Sequence, residues 1–308
     1  MLHRSFLLNR VVNSLLAKRF EVFLSSGCFD IAAKREKLVL IKTLMNVDGL
    51  APQRALSLRA ASYFLSAYPF VISMKTNRGL LSSDVVYSRF DLPVVTPDMF
   101  DNIIEEQAYE AYAAKGRHTV AIDVSELRRI RNSMGFTLKE LSQLIGISKK
   151  ALYEIENERV RPTRGTVERI ECTLNVKLRV PYKLRETEPT YVKPMSAFQS
   201  RVSRELMRIG IANSPVHGAP FELVGRESFI GRRKRIFSMI TSLSKNSRKI
   251  KRDAPKVRRL SAFFSTQAFF IAKHSDEQAV DGVPVLLEDE LPEVESAREL
   301  KKLIEEKQ

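Results

Sequence analysis

Residues 137–157 read Thr137-Leu138-Lys139-Glu140-Leu141-Ser142-Gln143-Leu144-Ile145-Gly146-Ile147-Ser148-Lys149-Lys150-Ala151-Leu152-Tyr153-Glu154-Ile155-Glu156-Asn157, and this run decides the fold of the middle of the chain. Thr137 and Glu140 stand at capping-box spacing: the hydroxyl accepts from the third amide while the carboxylate reaches back to the first. A helix starts there, carries Leu138, Leu141 and Ile145 on one side, and stops at Gly146, which leaves room for only a three-residue connection. Ser148 caps the next helix, from Lys149 to about Asn157, with Leu152 and Ile155 inward and Lys149, Lys150, Tyr153 and Glu154 outward. Working outward, Ser125 is placed to cap an earlier helix with Leu127 and Ile130, ended by Gly135. Thr163, after Pro162, is placed to cap a later one with Val167, Ile170 and Leu174. Four or five short helices are expected between Asp123 and Leu178.

Two short helices joined by a glycine-containing turn, the second with a basic outer N-terminus, have the geometry for insertion into a major groove. Arg159, Arg161 and Arg164 then fall where the chain leaves the groove and are placed to grip backbone phosphate. The run Leu138–Asn157 resembles the Cro and lambda-repressor class of helix-turn-helix domains without a gap, including Gly146, the aliphatic Ile147 and the closing Glu156-Asn157. Ser142 replaces the usual alanine, a small-for-small change. The resemblance implies double-stranded DNA as partner, Lys149, Lys150 and Tyr153 at base edges, and Thr137 and Ser148 donating to phosphate at helix starts. It also implies a homodimer on paired half-sites about one helical turn apart. Two alternatives stay open: a four-helix bundle with no DNA role, and an adaptor whose surface meets protein, against which the outward Lys149 and Lys150 argue.

The two ends of the chain read as copies of one unit. Gly27-Cys28-Phe29-Asp30-Ile31-Ala32 is followed by Asp91-Leu92-Pro93-Val94-Val95, and Ala219-Pro220-Phe221-Glu222-Leu223-Val224 by Gly282-Val283-Pro284-Val285-Leu286. Asp30 to Pro93 is 63 positions and Glu222 to Pro284 is 62, a spacing that chance seldom keeps. Each copy opens with an amphipathic helix, Leu8–Arg19 and Phe198–Ile209, and closes with an acid-rich one. Strand-like runs, Lys37–Leu44 and Phe70–Met74 in the first and Ala262–Ala272 in the second, are separated by helical stretches around Arg54–Ser66 and Arg235–Ser244.

That order, with an acid at the end of one strand and Lys in the next, resembles the restriction-endonuclease-like fold of the PD-(D/E)XK nucleases. Such a site uses two carboxylates to hold Mg²⁺ on a scissile phosphate and a lysine to orient water. Asp30 and Lys42 fit the first and last parts, but Leu40 stands where the second carboxylate belongs. The second copy offers Glu222 with no acid-x-Lys in the Phe229-Ile230-Gly231 run that follows, so a structural or DNA-clamping role is expected. Asp30 as a turn-capping acid is the other possibility. A nuclease-like unit, a Cro-type reader and a second nuclease-like unit, in that order, resemble an archaeal family of helix-turn-helix transcriptional regulators. Asn46-Val47-Asp48-Gly49, Tyr68-Pro69-Phe70-Val71-Ile72 and Val85-Val86-Tyr87-Ser88-Arg89 support that likeness along the chain.

Composition agrees with a polyanionic partner. The 308 residues carry 51 Lys and Arg against 36 Asp and Glu, a net charge of +15. Residues 178–260 hold twenty basic and six acidic side chains, densest from Arg232 to Arg235 and from Arg248 to Arg259. Phosphate attraction and a solvated helix face both fit these runs. Two cysteines, Cys28 and Cys172, do not make a disulfide framework, which points to a reducing, cytoplasmic setting. No run has the apolar length of a membrane span. The basic N-terminus, Arg4 to Arg19, reads as a first helix on a core rather than a transit peptide, because that helix has an internal counterpart. The four histidines, His3, His118, His217 and His274, are scattered, so no metal or cofactor is expected.

The expected fold class is α+β multidomain, with a central all-α helix-turn-helix bundle at 123–178 between α/β restriction-endonuclease-like units at 1–115 and 195–308. The expected function is sequence-specific DNA binding in transcription regulation, without enzyme activity, the flanks supplying dimer contacts or extra phosphate grip. The alternative is a Mg²⁺-dependent DNA nuclease using Asp30 and Lys42.

Overall fold

The computed structural model describes residues 4–114, 117–227, 237–244 and 247–307. The chain forms two compact units, one of Met1–Val71, Phe90–Leu92 and Arg185–Gln308, the other of Ile72–Arg89 and Pro93–Leu184.

Helix α1 (Arg4–Ala17) comes first, followed by strands β1 (Glu21–Leu24), β2 (Ile31–Lys34) and β3 (Leu38–Asn46), helix α2 (Pro52–Phe64), strands β4 (Tyr68–Thr76), β5 (Gly79–Leu80), β6 (Tyr87–Arg89) and β7 (Leu92–Val95), and helix α3 (Pro97–Ile104). The sheet runs β1-β2-β3-β4-β7-β6, with β5 on β4. Strand β3 is buried from Val39 to Thr43 without alternation, as expected of a central strand covered on both faces. Leu7, Val11 and Leu15, four residues apart, form the buried stripe of α1.

A hairpin of β8 (Ala111–Ala114) and β9 (Arg117–Val120) leads into helices α4 (Val124–Ser133), α5 (Leu138–Leu144), α6 (Lys149–Glu156) and α7 (Arg164–Leu174). Their shared core holds Leu127, Ile130, Leu141, Ile145, Leu152, Ile155, Val167, Ile170 and Leu174, and Ala111, Val120 and Ile122 join it from the hairpin side. The chain enters and leaves the bundle along one line of backbone hydrogen bonds. Asp123 N donates to Leu178 O at 2.8 Å, Val180 N to Ala121 O at 3.0 Å and Glu110 N to Val180 O at 2.8 Å.

Then follow α8 (Ala197–Arg208), β10 (Ile211–Pro215), β11 (Leu223–Glu227), β12 (Ser238–Ser244), α9 (Ser247–Phe264), β13 (Gln267–Ala272), β14 (Ala279–Val280), β15 (Val283–Leu287) and α10 (Ala297–Glu306). This second sheet runs β10-β11-β12-β13-β15-β14, the order of the first strand for strand. Pro93 and Pro284 sit in the matching strands β7 and β15. No described helix is long and apolar enough to cross a membrane.

Three local expectations need correction. Asp123, not Ser125, caps α4, its carboxylate accepting from Glu126 N at 2.9 Å; Ser125 lies inside the first turn. The expected helix over Arg235–Ser244 is, in its described part, strand β12. Met239, Ile240 and Leu243 stand at helical spacing, but every residue from Met239 to Ser244 is buried, so both faces are covered and no amphipathic period exists. The helix comes later, as α9, and extends through Phe264, so the strand expected over Ala262–Ala272 starts only at Gln267, after Ser265 turns the chain at φ 56°. The Phe229–Gly231 and Arg232–Arg235 runs lie outside the described residues.

Within the first unit, the parts of the two copies that it holds meet. Cys28 N donates to Gly218 O at 2.9 Å and His217 N to the Ser57 hydroxyl at 3.0 Å. Helix α2 packs on β10 and β11. From the other side, the end of α9 reaches the first sheet, with ring centroids 5.8 Å apart for Phe23 and Phe263 and 6.4 Å for Phe29 and Phe264. Gly27 sits at φ 135°, and a Cβ there would lie 1.1 Å from Gly218 O. Gly27→Ala is therefore expected to cost about 3 kcal/mol or more, because backbone rather than a flexible side chain must give way. Urea unfolding checks this against Gly49→Ala, whose Cβ meets nothing within 4 Å; equal midpoints for the two variants would contradict it.

Candidate nucleic-acid interface

The bundle's caps fix where α5 and α6 begin. Thr137 closes the capping box: Glu140 N donates to its hydroxyl oxygen at 3.2 Å, and Thr137 N donates to the Glu140 carboxylate at 2.8 Å. The amide and hydroxyl of Thr137 hold the Glu140 carboxyl below its ordinary range. Gly146, at φ 67°, turns the chain with no room for a longer link. Ser148 then caps α6, accepting from Ala151 N at 3.0 Å. Ser142 is buried and donates its hydroxyl to Lys139 O at 2.8 Å, which satisfies it inside the helix pair.

Helix α6 divides cleanly into two faces. Leu152, Ile155 and Glu156 are buried, whereas Ser148, Lys149, Lys150 and Tyr153 are exposed. The guanidinium of Arg159 lies 5.7 Å from the Tyr153 ring centre and 3.6 Å from the Glu154 carboxylate, so it folds back along the same helix. Arg161 stands 5.1 Å over the Tyr112 ring. Arg164, first residue of α7, is held by Glu168 at 2.8 Å and Asp84 at 2.5 Å, and these carboxylates raise its pKa further. Ser148, Lys149, Lys150, Tyr153 and Arg159 are thus gathered on α6. Thr137 has its hydroxyl proton committed to Glu140 at 2.8 Å, and Arg161 and Arg164 already have partners.

Sequence inspection missed what orients α6. Glu156 is 4% exposed and accepts two bonds from Arg131 of α4, at 2.7 and 3.1 Å. Arg131 also donates to Phe136 O at 2.9 Å, and Arg128 donates to Glu156 O and to Asn157 Oδ1. The available signal was an acid directly beside Ile155, on the apolar side of a helix, which requires a paired cation.

In the nuclease-like copies the residues singled out do meet, each copy forming a hydrogen-bonded cluster around one carboxylate. Asp30 Oδ1 receives Lys42 Nζ at 3.0 Å and Arg4 at 2.5 Å, and Oδ2 receives Thr43 N at 2.9 Å and its hydroxyl at 3.0 Å. Burial pushes the pKa of Lys42 down, with Asp30 pulling it back, and burial pushes the Cys28 thiol up to about 12. Leu40 is fully buried. Glu222 repeats the pattern: Ser242 donates at 2.7 Å, Leu243 N at 2.9 Å, and Lys249 of α9 at 2.5 Å in place of a strand lysine. A Mg²⁺ site does not fit these residues, since each cluster offers one carboxylate and its oxygens face N–H and O–H donors. Among the described residues no three His, Cys, Asp or Glu are grouped to hold a metal.

Residues 4–110 match the PD-(D/E)XK superfamily domain, and residues 127–180 match the helix-turn-helix family. A protein of Methanothermobacter thermautotrophicus named "Putative HTH-type transcriptional regulatory protein" is 30% identical, over 97% of this chain and 95% of its own. The chain belongs to this family. Members named in the same words from Methanobrevibacter smithii and Archaeoglobus fulgidus are 27% and 28% identical over 100% and 91% of this chain and 99% and 89% of theirs. The archaeal regulator family thus spans both flanks as well as the bundle. In this chain the helix-turn-helix is set between two α/β units of the same strand order, as expected from the sequence.

Removing the Glu156 carboxylate leaves Arg131 largely buried and unpaired. Glu156→Ala is therefore expected to lower stability by about 3 kcal/mol. Thermal unfolding measures this; a loss below about 0.5 kcal/mol would assign the orientation of α6 to the apolar contacts alone.

Proposed function

We propose that the protein is a sequence-specific DNA-binding transcriptional regulator whose helix α6 reads base edges in the major groove. The observation that carries this is the division of α6: Leu152 and Ile155 anchor it, while Lys149, Lys150 and Tyr153 stand exposed behind the Ser148 cap. Lysines on a helix narrow enough for the groove donate to guanine O6 and N7, and Tyr153 adds a further donor. Thr137 and Ser148 mark helix starts suited to phosphate, with Arg159, Arg161 and Arg164 gripping the backbone after exchanging their present partners for it. The archaeal relatives' names support the same role. In this proposal residues 123–178 are the reader and residues 1–115 and 195–308 a non-enzymatic scaffold working in the cytoplasm. The protein acts as a homodimer on paired half-sites.

Duplexes selected from a random library by the full-length protein should show two half-sites about 10 base pairs apart, centre to centre. On such a duplex Lys149→Ala and Lys150→Ala should each reduce discrimination against random DNA by roughly 1–3 kcal/mol. Equal losses on both duplexes would demote the two lysines to phosphate contacts.

The alternative, a metal-dependent nuclease using Asp30 and Lys42, is disfavoured by the donors that surround Asp30 on both oxygens. Supercoiled plasmid incubated with protein and Mg²⁺ or Mn²⁺ should stay uncut. Cutting that an Asp30→Ala variant abolishes would reverse the assignment.

A further inference from the structure

We infer that the outer face of α9 is a second DNA-contacting surface, which holds the phosphate backbone of the duplex without reading its sequence. This rests on the DNA-binding role of α6 and names a separate site for it. Helix α9 carries seven basic residues and one acid in 18 positions. Ile250, Ala254, Val257 and Leu260 form its buried stripe, three and four residues apart. At 100° per residue, Arg248, Arg252, Lys256 and Arg259 fall on the opposite side, and all four are exposed. From Arg248 to Arg259 is about 17 Å along the helix axis, the length of roughly five base pairs.

The fold does not account for this charge. Helix α2 holds the same position in the first copy with only Arg54 and Arg59 and no acid. Structural demands on α9 use Lys249, bound to Glu222, and Arg259, whose guanidinium lies 5.5 Å from the Phe23 ring centre. The remaining ion pairs, Lys251 to Glu277 at 2.8 Å, Arg252 to Asp253 at 2.9 Å and Arg258 to Asp281 at 3.3 Å, involve exposed cations. Exposed pairs of that kind add little stability and give way readily to a phosphate. A bilayer is a poorer match, because an interfacial helix needs an apolar face to insert. The apolar face of α9 is spent on the protein core, and none of the described large hydrophobics that are exposed lies on α9.

The test uses the full-length protein and a triple variant, Arg248→Gln, Arg252→Gln and Lys256→Gln. Binding to a selected and a random duplex is followed by fluorescence anisotropy across a salt series. Each phosphate contact contributes about 0.9 to the slope of log affinity against log salt. The triple variant should therefore lose about 2–3 from the slope on both duplexes, bind each at least ten-fold more weakly, and keep its discrimination between them. A companion variant, Arg248→Lys and Arg252→Lys, should keep the wild-type slope, and an unchanged melting curve shows that each variant is folded. Wild-type affinity and slope in the triple variant would overturn the inference while leaving the role of α6 intact. Failure of the wild-type protein to bind any duplex would overturn both. Loss of binding to phosphatidylglycerol vesicles with no change on DNA would assign the face to a membrane and overturn it as well.

Discussion

The pairing of Glu156 with Arg131 is the constraint on which the candidate interface depends. Helix α6 has eight residues, far fewer than an isolated helix needs to persist in water, so its existence and its direction both come from what it is attached to. Leu152 and Ile155 hold it to the core, but apolar contacts tolerate rotation and sliding. A carboxylate bound through both oxygens to a guanidinium, itself bonded to Phe136 O, does not. With the buried side fixed, Lys149, Lys150 and Tyr153 are presented in one orientation. The backbone ladder between residues 108–123 and 178–182 closes the bundle at its base, so that entry and exit are held at one place.

The flanking copies hold their acids in parallel ways. Both keep the acid, Asp30 or Glu222, and both surround it with an amide from the neighbouring strand, a side chain beside that amide and an ammonium. The ammonium comes from strand β3 in one copy and from helix α9 in the other. A carboxylate at the same place in the fold, buried at Asp30 and half-buried at Glu222, is thus paired from two directions. The close approach of Gly27 and Cys28 to Gly218 then joins the two copies locally.

Much of this architecture is legible in the sequence because it is written in local chemistry. Thr137, Ser148 and Thr163 are caps, and Gly146 is a turn that only a residue tolerant of positive φ adopts easily. The spacing from Asp30 to Pro93 and from Glu222 to Pro284 marks equivalent points in two sheets of identical strand order. Where the local signal is degenerate, it misleads. Asp123 and Ser125 are both good caps, and the longer reach of the helix decides for Asp123. Strand β12 is apolar on both faces, so its periodicity is uninformative. The β8–β9 hairpin is short and rich in alanine, and its membership of the bundle core depends on Ala111 and Val120 meeting distant helices. The Glu156–Arg131 pair spans 25 residues, and no spacing rule connects them. At the interface the exposed lysines of α6 were visible as a pattern, whereas the engagement of Arg164 by Asp84, eighty residues earlier, was not.

The most direct test of the central claim is dimethyl sulfate interference on a duplex selected by the protein, since methylation at guanine N7 alters the major-groove edge that α6 is proposed to contact. The account predicts that methylated guanines inside each half-site are excluded from the bound fraction, and that the exclusion weakens in the Lys149→Ala, Lys150→Ala double variant. Binding that is indifferent to N7 methylation, but abolished by a ligand filling the minor groove, would contradict it.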